Sequence, residues 1–182
     1  MRIVIATPLY PPEIAEPAPY IKELAKRLAR SHDVAIVAYT RLPEKVPGVK
    51  IIAIDKRRPL LLRLFAYFRA LRHAAKRADV IYAENGAAIE LPAGLVSLFG
   101  KQSLVMHIGD SAAHERAQTN FKLRSIERFA HSRAREIIAD SPLPKPEILP
   151  LEPSPVDKLA AYERSWSAHL DKLEEIFGHA VS

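Results

Sequence analysis

MRIVIATPLYPPEIAEPAPYIKELAKRLARSHDVAIVAYT, residues 1–40, is the stretch on which the fold turns. Arg2–Thr7 is a short apolar run stopped by Pro8, as expected of a strand buried on both faces. A proline-rich loop runs from Pro8 to Pro19. Tyr20–Ser31 then places Ile21, Leu24, Ala25 and Leu28 at helical spacing, with basic residues opposite. Asp33–Tyr39 is a second apolar strand. Two apolar strands joined by an amphipathic helix form a βαβ unit, and such units build parallel sheets.

The same rhythm continues outward. Val49–Ile54, Val80–Ala83, Ser103–Ile108 and Glu136–Ala139 read as strands. Helices are expected from Pro59 to about Ala78, over Ala87–Phe99, and over Ala113–Arg133. After residue 141 the alternation stops. Residues 142–155 hold six prolines in 14 positions, an extended and semi-rigid connector. Residues 156–178 read as a final helix whose stripe is Leu159, Tyr162, Trp166, Leu170, Leu173 and Phe177. A single trailing helix has no core of its own, so it is expected to dock on residues 1–141.

Composition narrows the function classes. The 182 residues include no cysteine, which excludes disulfides, thiolate catalysis and zinc ribbons. The histidines show no paired ligand spacing, so no metal site is expected. No run of about 18 apolar residues exists, so the chain is expected in the cytoplasm. The first loop has no glycine and five prolines, which removes amide donors. A dinucleotide fingerprint and a P-loop both need glycines there, so both are excluded. The G-x-S-x-G elbow of serine hydrolases is absent as well.

The opening 40 residues, with DVIYAENGAAIELPAGLVSLFGK (79–101), LVMHIGD (104–110) and SIERFAHSRAREIIADS (125–141), resemble the N-terminal half of family 4-type glycosyltransferases of the GT-B fold. The resemblance implies a Rossmann-like three-layer α/β domain with about six parallel strands and a C-terminal helix packing back on it. It implies a hexosyltransferase lineage that uses a nucleotide-sugar, with no bound cofactor and no essential metal. In that family a second α/β domain binds the donor through two glutamates spaced E-x7-E. No such pair occurs here. The chain therefore reads as an acceptor-side domain plus the returning helix, lacking the C-terminal donor domain. Transfer would need a separate donor domain or a homodimer, acting on a sugar or lipid-linked acceptor. A non-catalytic membrane- or partner-binding scaffold is the alternative, and a minimal single-domain transferase a further one.

In an open parallel sheet, ligands bind at the carboxyl ends of the strands. The residues expected there are Tyr10, Glu16, Glu84, Asn85, Gly86, Gly109, Asp110, Ser111 and Ser141. Each has a plainer role beside the functional one. Asp110 could position an acceptor hydroxyl or cap the next helix. Asn85-Gly86 could line the cleft or only turn the chain. Glu16 could act as a base or be a solvated loop carboxylate; it stands where relatives carry glycine. Glu16 and Asp110 are the candidate catalytic groups. His107 could be chemical or simply packed under a helix. His114 could face the cleft or the solvent. Ser141 could close the cleft or end the last strand.

The net charge of +6 is local. Residues 56–77 carry eight basic residues and no acid, so the remainder is slightly acidic. At about 100° per residue, Leu60, Leu61, Leu64, Tyr67, Phe68, Leu71 and Ala75 form an expected core stripe. Arg63, Arg69, Arg72, Lys76 and Arg77 fill the other arc, with Leu62 and Phe65 among them. Basic and large apolar side chains together suit an anionic membrane surface, on the inner face of a membrane. A solvated basic helix is the plainer alternative. No nucleic-acid motif accompanies it, so no nucleic acid is expected.

Overall fold

The computed structural model describes residues 1–139, 143, 145, 146 and 156–182. Six parallel strands are β1 (Arg2–Thr7), β2 (Asp33–Tyr39), β3 (Val49–Ile54), β4 (Val80–Glu84), β5 (Ser103–Ile108) and β6 (Glu136–Ala139). They lie in the order β3-β2-β1-β4-β5-β6. Strand β1 pairs with β2 on one side, Ile3 beside Val34, and with β4 on the other, Ile3 beside Val80. The chain first builds outward from β1, then returns past it to start β4. That reversal opens a crevice at the carboxyl ends of β1 and β4.

The helices are α1 (Ala18–Leu28), α2 (Leu60–Ala75), α3 (Ala87–Phe99), α4 (Ser111–Thr119), α5 (Phe121–Arg133) and α6 (Val156–Val181). Period-2 alternation sends Ile3 and Ile5 of β1 into one core and Val4 and Ala6 into the other. The first core is roofed by α1 and α6, the second by α2, α3 and α5. The α/β reading with a parallel six-stranded sheet therefore holds.

Three local expectations need correction. The helix expected over Ala113–Arg133 is two helices, split at Asn120. The Asn120 carboxamide accepts from the Lys122 and Leu123 amides at 3.0 and 3.3 Å and so starts α5 afresh. In α2, Tyr67, Leu71 and Ala75 are buried as expected, but Leu60 and Leu61 are exposed. Among the described residues, nothing covers these two side chains at the start of α2. In α6, Leu159 is half exposed, while Trp166, Leu173 and Phe177 are buried together with His169 and Ala180.

Pro92 sits inside α3. Its missing N–H leaves the Ala88 carbonyl without its helical donor. The Tyr39 hydroxyl donates to that carbonyl at 3.3 Å and fills the gap.

Helix α6 returns to the α1 face. Arg27 donates two hydrogen bonds to the Glu163 carboxylate at 2.8 and 2.7 Å and one to Glu23 at 2.7 Å. Its guanidinium also lies 5.0 Å from the centre of the Trp166 ring. His32 meets Glu174 at 3.0 Å. The Ser103 hydroxyl of β5 donates to the Ala180 carbonyl, so the C-terminal end of the helix is tied to the sheet and its N-terminal half to α1. Most of the connector expected over residues 142–155, and Ser141 with it, lie outside the described residues.

Candidate functional site

The crevice at the strand ends is a cleft of about 430 Å³. It is lined by Pro8, Leu9, Glu16, Pro17, Glu84, Asn85, Gly109, Asp110, Ser111 and Lys145. Apart from Lys145, the walls come from strand ends: the first loop follows β1, Glu84 and Asn85 close β4, and Gly109–Ser111 leave β5.

Glu84 forms the floor and is only 2% exposed. A buried carboxylate needs partners, and three converge on it. His107 Nδ1 is 3.2 Å from each Glu84 oxygen. The Tyr82 hydroxyl donates at 3.5 Å, and Lys145 Nζ is 3.7 Å away. A ring nitrogen facing a carboxylate serves as the donor, so His107 donates to Glu84 through Nδ1. Behind Glu84, the His107 ring stacks on Tyr82 and Tyr20, and the Tyr20 hydroxyl meets His169 Nε2 of α6 at 2.9 Å. His107 is thus both packed under helices and joined to the floor of the cleft.

The rim is braced by reciprocal bonds. The Asn85 amide donates to the Asp110 carbonyl at 2.8 Å and its oxygen accepts from the Asp110 N–H at 2.9 Å. Both ends of the Asn85 side chain are therefore spent holding the β4 and β5 ends together. The Asp110 carboxylate accepts from the Ala113 amide at 3.0 Å and caps α4. It keeps its outer oxygen toward solvent, near Arg116 at 3.8 Å. Gly109 is needed by contact: a Cβ there would stand 2.9 Å from the His107 ring and overlap the Lys145 ammonium.

Six of the expected cleft residues line the cavity together: Glu16, Glu84, Asn85, Gly109, Asp110 and Ser111. Two do not. The Tyr10 ring is fully buried in the α1-side core, and burial, with the charge of Glu44, pushes its hydroxyl up to about 12. Gly86 turns away at φ +120° and lines a separate cavity of about 190 Å³ beside Glu90. Lys145 is the group the sequence reading missed. It lay in a stretch read as a spacer, and its only signal was a lone cation among prolines. Outside the cleft, His114 Nδ1 donates to the Glu127 carboxylate at 2.7 Å.

Residues 16–143 match the glycosyl transferase 4-like domain family. This chain belongs to that family. Among solved structures, the glycosyl transferase 4-like domain superimposes on the Anabaena protein Alr3699/HepE in complex with UDP-glucose, with TM-score 0.55 and 21% identity over 78% of this chain. It also superimposes on a putative UDP-N-acetylglucosamine 2-epimerase from Listeria monocytogenes, with TM-score 0.52 and 12% identity over 76% of this chain. In each case this chain spans 38% of the other protein's length. Comparison with curated protein sequences finds no match. The domain is thus of glycosyltransferase type in fold and family, and no helix among its described residues is long and apolar enough to cross a membrane.

Proposed function

We propose that this domain supplies the acceptor side of a two-domain sugar transfer. The nucleotide-sugar would be held against it by a second α/β domain. The observation that carries this reading is the cleft: Glu16, Glu84, Gly109, Asp110, Ser111 and Lys145 meet at the point where the strand order reverses. HepE binds UDP-glucose, and this domain corresponds to about two-fifths of that protein's length. Within the cleft, the exposed Asp110 and Glu16 carboxylates are the groups free to accept from a sugar hydroxyl. Glu84, clamped by His107 and Lys145, fixes the floor.

The test is calorimetry with a panel of UDP- and GDP-sugars, with and without an added GT-B donor domain. Donor binding and sugar transfer only with the added domain support the reading. Donor binding by the lone chain points to a minimal single-domain transferase instead.

A second reading, membrane association, is favoured by one surface. Leu60, Leu61, Leu62 and Phe65 are all more than half exposed, beside exposed Arg57, Arg58, Arg69, Arg72, Lys76 and Arg77. Leu62, Phe65 and Arg69 also border an open groove of about 650 Å³ against β3. Arg63 leaves this set, because it lies over Tyr39 at 5.4 Å and donates to the Lys56 carbonyl at 3.0 Å. At about 1 kcal/mol per basic residue near an anionic surface, the others suffice for salt-sensitive docking. That would set a lipid-linked acceptor beside the domain. Sedimentation with phosphatidylglycerol vesicles at rising salt tests it.

A further inference from the structure

Away from the cleft, three helices bring together two buried carboxylates and two histidines. Glu90 comes from the first turn of α3, and Glu127 and His131 from successive turns of α5. Four residues of helix separate the last two, so they share a face. One donor atom from each of Glu90, Glu127 and His131 lies within 4.8 Å of the other two. Donor atoms around one ion at about 2.0–2.2 Å are about 3 to 4.4 Å apart. Small side-chain adjustments therefore close the set.

The surroundings are short of positive charge. Glu90 is 3% exposed and Glu127 4%. Among the described residues, neither pairs with a lysine or arginine. Glu127 has His114 Nδ1 at 2.7 Å and Gln118 Nε2 at 3.2 Å. His131 Nε2 is shielded from solvent and has no hydrogen-bond partner among the described residues. A buried carboxylate without a cationic partner is costly unless it takes up a proton or a cation joins it. Each oxygen of Glu127 keeps a second lone pair, so it can bind an ion while still accepting from His114 and Gln118. The cavity of about 190 Å³ that opens onto Glu90, past Gly86, Ala113 and Ala117, is a route in. Arg116 also lines it, with its charge partly offset by Asp110 at 3.8 Å.

We propose that Glu90, Glu127 and His131 bind one divalent first-row transition-metal ion, with His114 orienting the Glu127 carboxylate. An imidazole with two carboxylates suits Zn²⁺. The ion would pin α3 to α5 and, through His114, steady α4, whose first turn is capped by Asp110 on the cleft rim. The site is independent of the sugar-transfer reading, and no step of that transfer runs through it.

The test uses the full chain, stripped with chelator and titrated with Zn²⁺ by calorimetry and with Co²⁺ by visible absorption. The expected result is a single ion per chain, visible Co²⁺ bands of a nitrogen–oxygen site, and a higher Tm with Zn²⁺. His131→Gln and Glu127→Gln should each weaken binding by at least tenfold, and His114→Gln by about tenfold. His73→Gln, on the exposed face of α2, should leave it unchanged. If Glu127→Gln does not fold, X-ray absorption of the Zn²⁺-loaded wild-type chain still decides, through one imidazole and oxygen neighbours. No stoichiometric ion, an affinity unmoved by His131→Gln, or a loss equal to that in His73→Gln would overturn the proposal.

Discussion

Helices α2 and α6 both carry large apolar side chains at helical spacing, yet α6 buries most of its stripe while α2 leaves its start exposed. Helix α6 buries Trp166, Leu173 and Phe177 and fixes its polar flank through Arg27–Glu163 and His32–Glu174. Helix α2 buries Tyr67, Leu71 and Ala75 and leaves Leu60, Leu61, Leu62 and Phe65 in water. The difference lies in what surrounds the stripe. Acids on α6 answer Arg27 of α1 and His32 just after it, so the helix is specified for one partner within the chain. Residues 56–77 hold bases with no acid, so that surface has no such partner on its own segment. One helix completes the fold, and the other faces outward.

The comparison can be broken by substitution, beginning with the largest effect. Trp166→Ala removes a fully buried indole from the α1-side core and should cost about 3–5 kcal/mol, read by urea unfolding. Replacing Leu60, Leu61, Leu62 and Phe65 by serine should abolish vesicle binding. Stability should move by no more than about 0.5 kcal/mol per site. A fall in stability like that of Trp166→Ala would mean that α2 is a structural helix like α6. Arg27→Ala should cost about 1.5–3 kcal/mol, since charge-assisted bonds to Glu163 and Glu23 are lost.

The smallest effect is on pH. The hydrogen bond from Arg27 holds the Glu163 carboxyl below its usual value of 4.5. A depressed carboxyl adds stability above its unfolded value and loses it as pH falls through the folded one. Thermal melts below pH 4.5 should therefore fall more steeply in the wild type than in Glu163→Gln. Equal slopes would show that the Arg27 tie contributes nothing.

The sheet was legible because its central strands, buried on both faces, read as apolar runs, most of them bounded by Gly, Pro or Asn. The cleft position followed from parallel topology, which gathers Glu84, Gly109 and Asp110 at one end whatever their sequence distance. Three features were hidden, each for a physical reason. Tyr10 is adjacent to cleft residues in sequence, but the chain turns its ring into the core. Lys145 reaches Glu84 from a connector whose composition spoke only of extension. The Glu127–His131 pair carries a spacing of four on one helix face, but Glu90 joins it only through the packing of α3 on α5. A search for paired histidines passes over such a set.

The central claim is that the strand-end cleft receives the sugar acceptor. Amide chemical-shift mapping of the full chain, titrated with hexose glycosides in the presence and absence of UDP, tests it most directly. The account predicts saturable shifts at Glu84, Asn85, Gly109, Asp110 and Ser111, lost in Asp110→Ala while the α6 signals stay in place. Saturable shifts confined to α2, or none at the cleft with any glycoside, would contradict it.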